Sequence, residues 1–311
     1  MAEEEKYDLL VVLGPTASGK TRLGVALARA LGGEILSADS RQVYRGLDLG
    51  TGKDLAEYRQ GGPPVPYQLI DVAGLGEEYS VFRFQRDFFR ALGEVRARGR
   101  LPVLVGGTGL YLEAVLEGYA LVEVPEDPAL RRELEGLSLD ELQDRLAGLK
   151  RLHNVSDFKS RERLVRAIEV AEGQARAQGA GARPAWPALH PLVLGTRWPR
   201  EELRARIRAR LAERLAAGML GEADRLLASG VSHARLRELG LEYRWMSRHR
   251  QGELGLEAMQ AGLARAIAEF ARRQESWFRR MERRGTPIHW IERAEPAEAL
   301  EVVRREGRLT P

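Results

Sequence analysis

A glycine-rich run near the beginning of the chain has the residue types and the spacing of a phosphate-binding loop. It fits the pattern G-x-x-x-x-G-K-[ST] and consists of Gly14, Pro15, Thr16, Ala17, Ser18, Gly19, Lys20 and Thr21. Such a loop turns backbone N–H groups toward phosphate oxygens, and the following helix adds its dipole. Lys20 would add a point charge, and the Thr21 hydroxyl could ligate Mg²⁺. The run predicts a polyphosphate site such as those of ATP-binding and nucleotide-binding proteins. The motif does not specify which polyphosphate binds.

An aspartate follows the second predicted strand, in the segment Asp39-Ser40-Arg41-Gln42. Ligands of open parallel sheets bind beyond the carboxyl ends of the strands, so we expect Asp39 near the phosphates. From the residues alone, Asp39 could act as a general base, ligate Mg²⁺ or cap a helix.

The fourth predicted strand ends in Gly106, Gly107 and Thr108. A nucleotide hydrolase or a small-molecule kinase usually carries an acidic metal ligand at such a strand end. Glycine instead allows a ligand to approach the backbone closely. This segment therefore argues against ATP hydrolysis and against a kinase.

Strands and helices alternate in the first third of the chain, as these loops require. Buried strands are predicted at 7–13, 34–38, 69–72 and 101–105, and helices at 21–31, at 81–98 and from Thr108 onward. The alternation predicts an α/β fold with a P-loop NTPase-like parallel sheet flanked by helices.

Beyond Gly118 the pattern changes to helices. Polar helices are predicted over 129–177, a linker over 179–191, a strand over 192–196, and long helices over 200–228, 236–250 and 256–284. We predict a P-loop core of residues 1–118 and 190–311 with basic C-terminal helices. We predict a helical insertion over 119–189.

Composition excludes several classes of protein. The 311 residues are 44% hydrophobic and 30% charged, which predicts a globular domain rather than a disordered chain. Cysteine is absent, and the five histidines lack zinc-ligand spacing, so thiol catalysis and structural zinc are not expected. No apolar run is long enough for a membrane span, and we expect a cytoplasmic monomer. Residues 191–311 hold 24 basic and 17 acidic residues, an excess typical of a polyanion binder.

Six segments resemble, in this order, the tRNA dimethylallyltransferase (isopentenyl transferase) family. They are GPTASGKT, ADSRQVYRGLDLGTGK, GGTGLYLEAVLEG, DPALR, RERLVRAIEV and FARRQESWFRR, and the resemblance covers roughly residues 9–290. The resemblance implies that the P-loop holds the diphosphate of dimethylallyl diphosphate with Mg²⁺. It also implies tRNA, through its anticodon stem-loop, as the acceptor.

The resemblance also implies roles for individual residues. Asp39 is the expected general base, and Lys20, Thr16 and Arg210 complete the expected catalytic set around the diphosphate. Thr21 is the expected metal ligand. The expected tRNA contacts are Asp39, Ser40, Arg41, Gln42, Thr108, Arg131, Glu162, Arg163, Leu164, Val165 and Arg166. In the last segment we expect Phe270, Trp277 and Phe278 in the core, and Arg272 and Arg273 at RNA or phosphate.

The chain departs from the family pattern at three places. The family usually has Thr-Ala-Lys-Pro where this chain has Thr51-Gly52-Lys53-Asp54, and His-His-Leu-Ile-Asp at residues 67–71. Its Gly-Tyr-Arg element is written here over residues 240–244 as Gly-Leu-Glu-Tyr-Arg. The departures indicate a divergent branch.

The sequence therefore predicts transfer of a dimethylallyl group to N6 of adenosine-37 of tRNA, with release of diphosphate. One alternative is a cytokinin-type isopentenyltransferase that modifies free adenylate. A second alternative is a P-loop RNA-binding protein without catalysis. The helical insertion and the basic C-terminal half favour tRNA over a free nucleotide.

Overall fold

The computed structural model describes residues 6–149, 160–179 and 186–310, and these divide into two compact units. The first unit comprises Met1–Glu117 and Ala188–Pro311, and the second comprises Gly118–Pro187. Part of the predicted linker, residues 180–185, lies outside the described residues.

The first unit is built on a parallel sheet. Its strands are β1 (Lys6–Tyr7), β2 (Leu9–Leu13), β3 (Gly33–Ala38), β4 (Tyr67–Gln68), β5 (Leu101–Gly106), β6 (Pro191–Arg197), β7 (His289–Glu292) and β8 (Arg308–Leu309). Six strands pair in the order β4-β3-β5-β2-β6-β7, and every pairing is parallel. β1 and β8 form a separate parallel pair. The predicted α/β class is confirmed.

Helices flank this sheet and follow its strands along the chain. In the first unit they are α1 (Lys20–Ala30), α2 (Val81–Ala97), α3 (Gly109–Leu116), α7 (Arg200–Ala216), α8 (Met219–Ala228), α9 (His233–Leu239), α10 (Leu241–Arg250), α11 (Leu256–Arg283) and α12 (Pro296–Glu306). The central strands β2, β3 and β5 are buried at every position, which explains why they read as continuous apolar runs. Their carboxyl ends carry the predicted site residues.

The second unit is helical in its described part. It contains α4 (Pro128–Leu134), α5 (Leu139–Leu149) and α6 (Arg161–Gly179). Its own small core consists of Leu130, Leu134, Leu142, Leu146, Leu164 and Ile168. Helical periodicity placed these apolar residues on facing sides of the three helices.

Several sequence predictions of elements are wrong. The third strand forms at Tyr67–Gln68 rather than at 69–72, because Leu69 and Asp71 adopt positive φ angles of 67° and 58°. The helix predicted over 200–228 breaks at Gly218, whose φ is +96°. Phe270 is 40% exposed instead of belonging to the core, whereas Phe278 is fully buried. Strand β7 was not predicted.

Candidate active site

The phosphate-binding loop joins β2 to α1 in a conformation that glycine makes accessible. Gly19 has a φ of +85° and immediately precedes Lys20, the first residue of α1. A side chain at Gly14 would lie 1.9 Å from Thr196 Oγ1. Thr196 instead hydrogen-bonds the Ser18 hydroxyl at 2.6 Å. The loop is therefore braced from β6 as well as from its own strand and helix.

Gln274 of α11 connects the phosphate-binding loop to the glycine-rich end of β5. Its side-chain oxygen accepts a hydrogen bond from the Thr16 N–H at 2.8 Å, and its Nε2 donates to the Gly107 carbonyl oxygen at 2.8 Å. Gln274 is only 8% exposed, so both bonds are shielded from water. One side chain thus fixes the spacing of the two loops that the sequence marked as ligand-binding.

The cationic group of Lys20 is removed from bulk water. Burial lowers the pKa of Lys20 to about 8; Asp39 opposes this shift, and Arg210 adds to it. Lys20 Nζ also donates to the Pro15 carbonyl oxygen at 3.3 Å. These charges interact strongly with Lys20, so Asp39, Arg210 and Lys20 belong to one electrostatic cluster.

Helix α7 supplies a row of arginines to this cluster. Arg206, Arg210 and Arg214 are spaced four residues apart and share one helix face. Arg206 Nε donates to the Ala17 carbonyl oxygen at 2.9 Å, and its guanidinium lies 4.1 Å from the centre of the Trp198 ring. Arg210 donates to the carboxylate of Asp54. The row places several positive charges beside the loop predicted to bind diphosphate.

Asp39 is held by one carboxylate oxygen. Its Oδ1 accepts hydrogen bonds from the Arg41 N–H at 2.8 Å and the Gln42 N–H at 3.3 Å. These bonds close a turn rather than capping a helix, since no helix begins there. Oδ2 accepts no hydrogen bond from the part of the chain that the structure describes. Asp39 can therefore accept a proton from a ligand without losing its anchorage.

Thr108 links the ends of β3 and β5. Its hydroxyl oxygen accepts a hydrogen bond from the Ser40 N–H at 3.0 Å, and its own N–H donates to the Ala38 carbonyl oxygen. Thr108 thereby positions the residue that follows Asp39. Gln42 is buried, and its amide donates to the Gly52 carbonyl oxygen at 3.0 Å. Arg41 is exposed.

A buried network shapes the segment after Gln42. The Glu222 carboxylate accepts hydrogen bonds from the N–H groups of Asp48, Leu49 and Gly50 and from the Tyr243 hydroxyl. Lys53 is buried and forms ion pairs with Asp48 and Asp71 at 2.7 and 2.5 Å. This network fixes the course of the chain from Asp39 toward Asp54.

Two of the predicted tRNA contacts of the second unit, Arg131 and Arg166, hold a buried carboxylate. Arg131 forms two hydrogen bonds with Glu169 at 2.7 and 3.0 Å, and Arg166 forms a third at 3.2 Å. Burial alone would raise the pKa of Glu169, but the hydrogen bonds from Arg131 and Asp127 lower it. Arg131 and Arg166 therefore stabilise the buried Glu169 carboxylate. The side chain of Arg163 is exposed.

Leu164 requires a correction among these predicted contacts. It is 0% exposed and packs in the core of the helical unit, so its side chain is unavailable to RNA. Glu162 is exposed and Val165 is half-buried, because they lie on other faces of α6. A helix that packs on one face buries about one residue in three or four. A stretch of five helical residues therefore always includes both buried and exposed side chains.

The structure brings together, in the first unit, the P-loop residues, Asp39, Ser40, Thr108 and Arg210. The other predicted contacts, Arg131 and residues 162–166, belong to the second unit. Sequence reasoning missed Gln274, Arg214, Lys53 and Glu222. Gln274 and Lys53 carried a signal, since they lie within the family-like segments FARRQESWFRR and ADSRQVYRGLDLGTGK.

The residues at the P-loop fit a divalent metal that is shared with a ligand. Thr21 supplies a hydroxyl oxygen, a hard donor of the kind that Mg²⁺ prefers. Within the described residues, no group of three or more His, Cys, Asp or Glu side chains is arranged to hold a metal ion. A metal here would therefore depend on phosphate oxygens for much of its coordination.

Known proteins with similar sequences and folds have names that describe one family. Residues 42–281 match the family model of IPP transferase, and residues 7–62 match that of isopentenyl transferase. The chain is 58% identical to tRNA dimethylallyltransferase 2 of Syntrophotalea carbinolica, over 94% of this chain and 97% of that protein. It is 54% identical to tRNA dimethylallyltransferase 1 of Geotalea daltonii, over 96% and 95% of the two chains.

Two solved structures have the same fold. The full-length tRNA isopentenylpyrophosphate transferase of Bacillus halodurans is 30% identical, with a TM-score of 0.69 over 96% of each chain. A eukaryotic dimethylallyltransferase acting on tRNA is 20% identical, with a TM-score of 0.73 over 97% of this chain and 77% of that one.

The lowered pKa of Lys20 predicts a loss of anion affinity above about pH 8. As the pH rises through this value, the free protein loses the ammonium proton that a bound diphosphate requires. We expect the Kd for pyrophosphate with Mg²⁺, measured by calorimetry, to rise up to about tenfold per pH unit. Lys20→Arg is the control, because a guanidinium stays protonated. The ratio of the two Kd values cancels the ionisation of the ligand, and a pH-independent ratio would contradict the prediction.

Removal of the Gln274 amide should loosen the phosphate-binding loop. Gln274→Leu leaves the Thr16 N–H and the Gly107 carbonyl without partners, which should cost about 1–3 kcal/mol of unfolding free energy. We also expect weaker pyrophosphate binding. Gln274→Glu keeps an acceptor for the Thr16 N–H, but it sets a carboxylate oxygen against the Gly107 carbonyl oxygen and adds a negative charge, so it should not restore the affinity. Gln260→Leu on the same helix is the matched control. Unchanged pyrophosphate affinity in Gln274→Leu would show that the Gln274 amide does not hold the phosphate-binding loop in place.

Proposed function

The chain belongs to the IPP transferase family, and on this premise we propose that it transfers a dimethylallyl group to N6 of adenosine-37 of tRNA. The donor is dimethylallyl diphosphate, and inorganic diphosphate is released. The single observation that supports this reaction best is the pairing of Asp39, with one free carboxylate oxygen, with Lys20 in one charge cluster at the P-loop. A base for the acceptor and a cradle for the leaving group are the two components that the reaction needs.

Asp39 activates the acceptor in this proposal. The exocyclic amine of adenine is a weak nucleophile because its lone pair is delocalised into the ring. As the bond from N6 to C1 of the prenyl group forms, Asp39 Oδ2 takes a proton from N6. Hydrogen bonds from Arg41 and Gln42 to Oδ1 keep the carboxylate oriented throughout. The adenine must leave its stack to reach this oxygen, as other base-modifying enzymes require.

The P-loop stabilises the departing diphosphate. Negative charge builds on its oxygens as the bond from C1 to oxygen breaks, and the loop amides, Lys20 and Arg210 can offset it. We propose Mg²⁺ as cofactor, with Thr21 and the diphosphate as its principal ligands; when bound, it neutralises charge on the phosphate oxygens. Gln274 acts indirectly, by holding the Thr16 N–H in place.

The second unit supplies RNA contacts in this proposal. Arg163 is exposed and is the best candidate for a phosphate contact, whereas Arg131 and Arg166 maintain Glu169. The proposal keeps the expectation that the enzyme works as a monomer in the cytoplasm. In the described part of the chain, no helix combines the length and apolarity that a membrane crossing needs.

A transfer assay with labelled dimethylallyl diphosphate and Mg²⁺ tests the reaction. We expect label in unmodified tRNA, none in AMP or ATP, and at least a hundredfold slower transfer by Asp39→Asn, because general-base catalysis contributes about 10²–10⁴-fold. Diphosphate binding should survive in that variant. Label in AMP or ATP would establish the cytokinin-type alternative. No transfer by folded protein that still binds tRNA would favour the non-catalytic alternative.

Arg163 and Arg166 should respond differently to substitution. Arg163→Ala should weaken tRNA binding and reduce the slope of log K against log salt by about 0.7–0.9, the effect of one lost phosphate contact. Arg166→Ala should chiefly lower the melting temperature, because Glu169 loses one of its partners. Binding titrations at several salt concentrations and thermal melts measure these effects. Arg304→Ala, an exposed arginine of α12 outside the family-like segments, is the control. A salt slope unchanged by Arg163→Ala would rule out its phosphate contact.

A further inference from the structure

Departures from the family pattern meet around one arginine. A Cβ atom at Gly52, where the family usually has alanine, would lie 1.8 Å from a terminal nitrogen of Arg214. Asp54, where the family usually has proline, lies 3.4 Å from the same guanidinium. Glu242, inside the altered Gly-Tyr-Arg element, also acts electrostatically on Arg214. The altered residues are separated in sequence but form one charged cluster.

The backbone makes these departures depend on each other. Asp54 has a φ of +46°, which a proline ring cannot adopt and which aspartate tolerates better than most residues. Gly52 has a φ of +64° and leaves room for Arg214. The turn therefore presents a carboxylate to α7 where the usual proline would present none.

Arg214 needs that carboxylate. Its side chain is only 13% exposed, and burial together with the neighbouring Arg210 lowers the pKa of its guanidinium. Asp54 and Glu242 act in the opposite direction and favour the charged form. An unpaired buried cation costs far more than a paired one, so the anions in this cluster stabilise the site when no ligand is bound.

Asp54 also engages the arginine expected at the diphosphate. Arg210 donates to the Asp54 carboxylate, and both residues act electrostatically on Lys20 of the P-loop. Carboxylate and phosphate oxygens bind a guanidinium through the same N–H donors. The Asp54 carboxylate therefore occupies donors that an incoming diphosphate would use.

We propose that Asp54 determines the affinity of the diphosphate site, because its carboxylate competes with the diphosphate for Arg210. In the empty site the carboxylate neutralises the arginines of α7. In the occupied site it adds a repulsive negative charge, so it weakens binding and favours release of the diphosphate product. This inference rests on the proposed function, since it assumes that the P-loop binds diphosphate beside Arg210.

Calorimetric titration of the whole protein with pyrophosphate and Mg²⁺ tests the competition. We expect Asp54→Asn to bind pyrophosphate about three- to tenfold more tightly than the wild type. Asparagine keeps the size of the side chain and tolerates a positive φ, so the turn should survive. Asp224→Asn is the matched control, because it removes an equal charge from an exposed pair with Arg250. Unchanged or weaker binding by Asp54→Asn would overturn the proposal.

A second pair of variants separates competition from general charge. In an Arg210→Ala background, which should itself bind pyrophosphate more weakly, the gain from Asp54→Asn should be clearly smaller, because only the direct repulsion by the carboxylate is left to remove. A gain of the same size in both backgrounds would show that Asp54 does not act through Arg210 and would overturn the proposal. A wild type that binds pyrophosphate but does not prenylate tRNA would count against the proposed function alone. A wild type that binds no pyrophosphate would overturn both.

Discussion

The geometry of the site depends on the side-chain amide of Gln274, which joins two loops by hydrogen bonds. Two glycine-rich loops follow β2 and β5, and within the described residues no side chain of either loop forms a hydrogen bond to the other loop. Gln274 bonds to the Thr16 N–H of one and the Gly107 carbonyl of the other. Because α11 is 28 residues long and buried along one face, this amide is fixed by a large packed element. The loops can therefore stay rich in glycine, and open to a ligand, without becoming loose.

The second constraint is charge. Lys20 and the arginines of α7 create a field suited to diphosphate, but the same field destabilises the empty protein. The structure offsets it with carboxylates placed at the margin of the cluster, at Asp39, Asp54 and Glu242. Of these three, Asp39 is also the proposed general base. One set of anions can therefore both balance the positive charge and provide the base.

The sequence predicted the part of the site that local pattern controls. The P-loop motif between a strand and a helix places Gly14–Thr21, and the strand ends place Asp39 and Thr108 near it. It could not predict the role of Glu222, because the N–H groups that Glu222 binds lie about 170 residues away in the sequence. It could not predict the role of Lys53, because the partners of Lys53 lie in an irregular segment with no recognisable pattern. It misjudged Leu164 because the resemblance marked the whole stretch 162–166 as RNA contacts, and it misjudged Phe270 because it relied on helical spacing. Helical spacing identifies an apolar stripe, but tertiary packing decides where the stripe begins and ends.

The division into units explains how recognition and chemistry can vary separately. Every residue assigned to the diphosphate or to proton transfer lies in the first unit, either after a strand of the sheet or on the helices α1 and α7. The helical unit has its own core and its own buried ion-pair centre at Glu169. Substitutions on the exposed face of α6 can therefore change the RNA contacts proposed for it and leave the core of this unit intact. Departures within the first unit have less freedom: Gly52, Asp54 and Arg214 fit one another, so a side chain at Gly52 would have to displace Arg214 from Asp54.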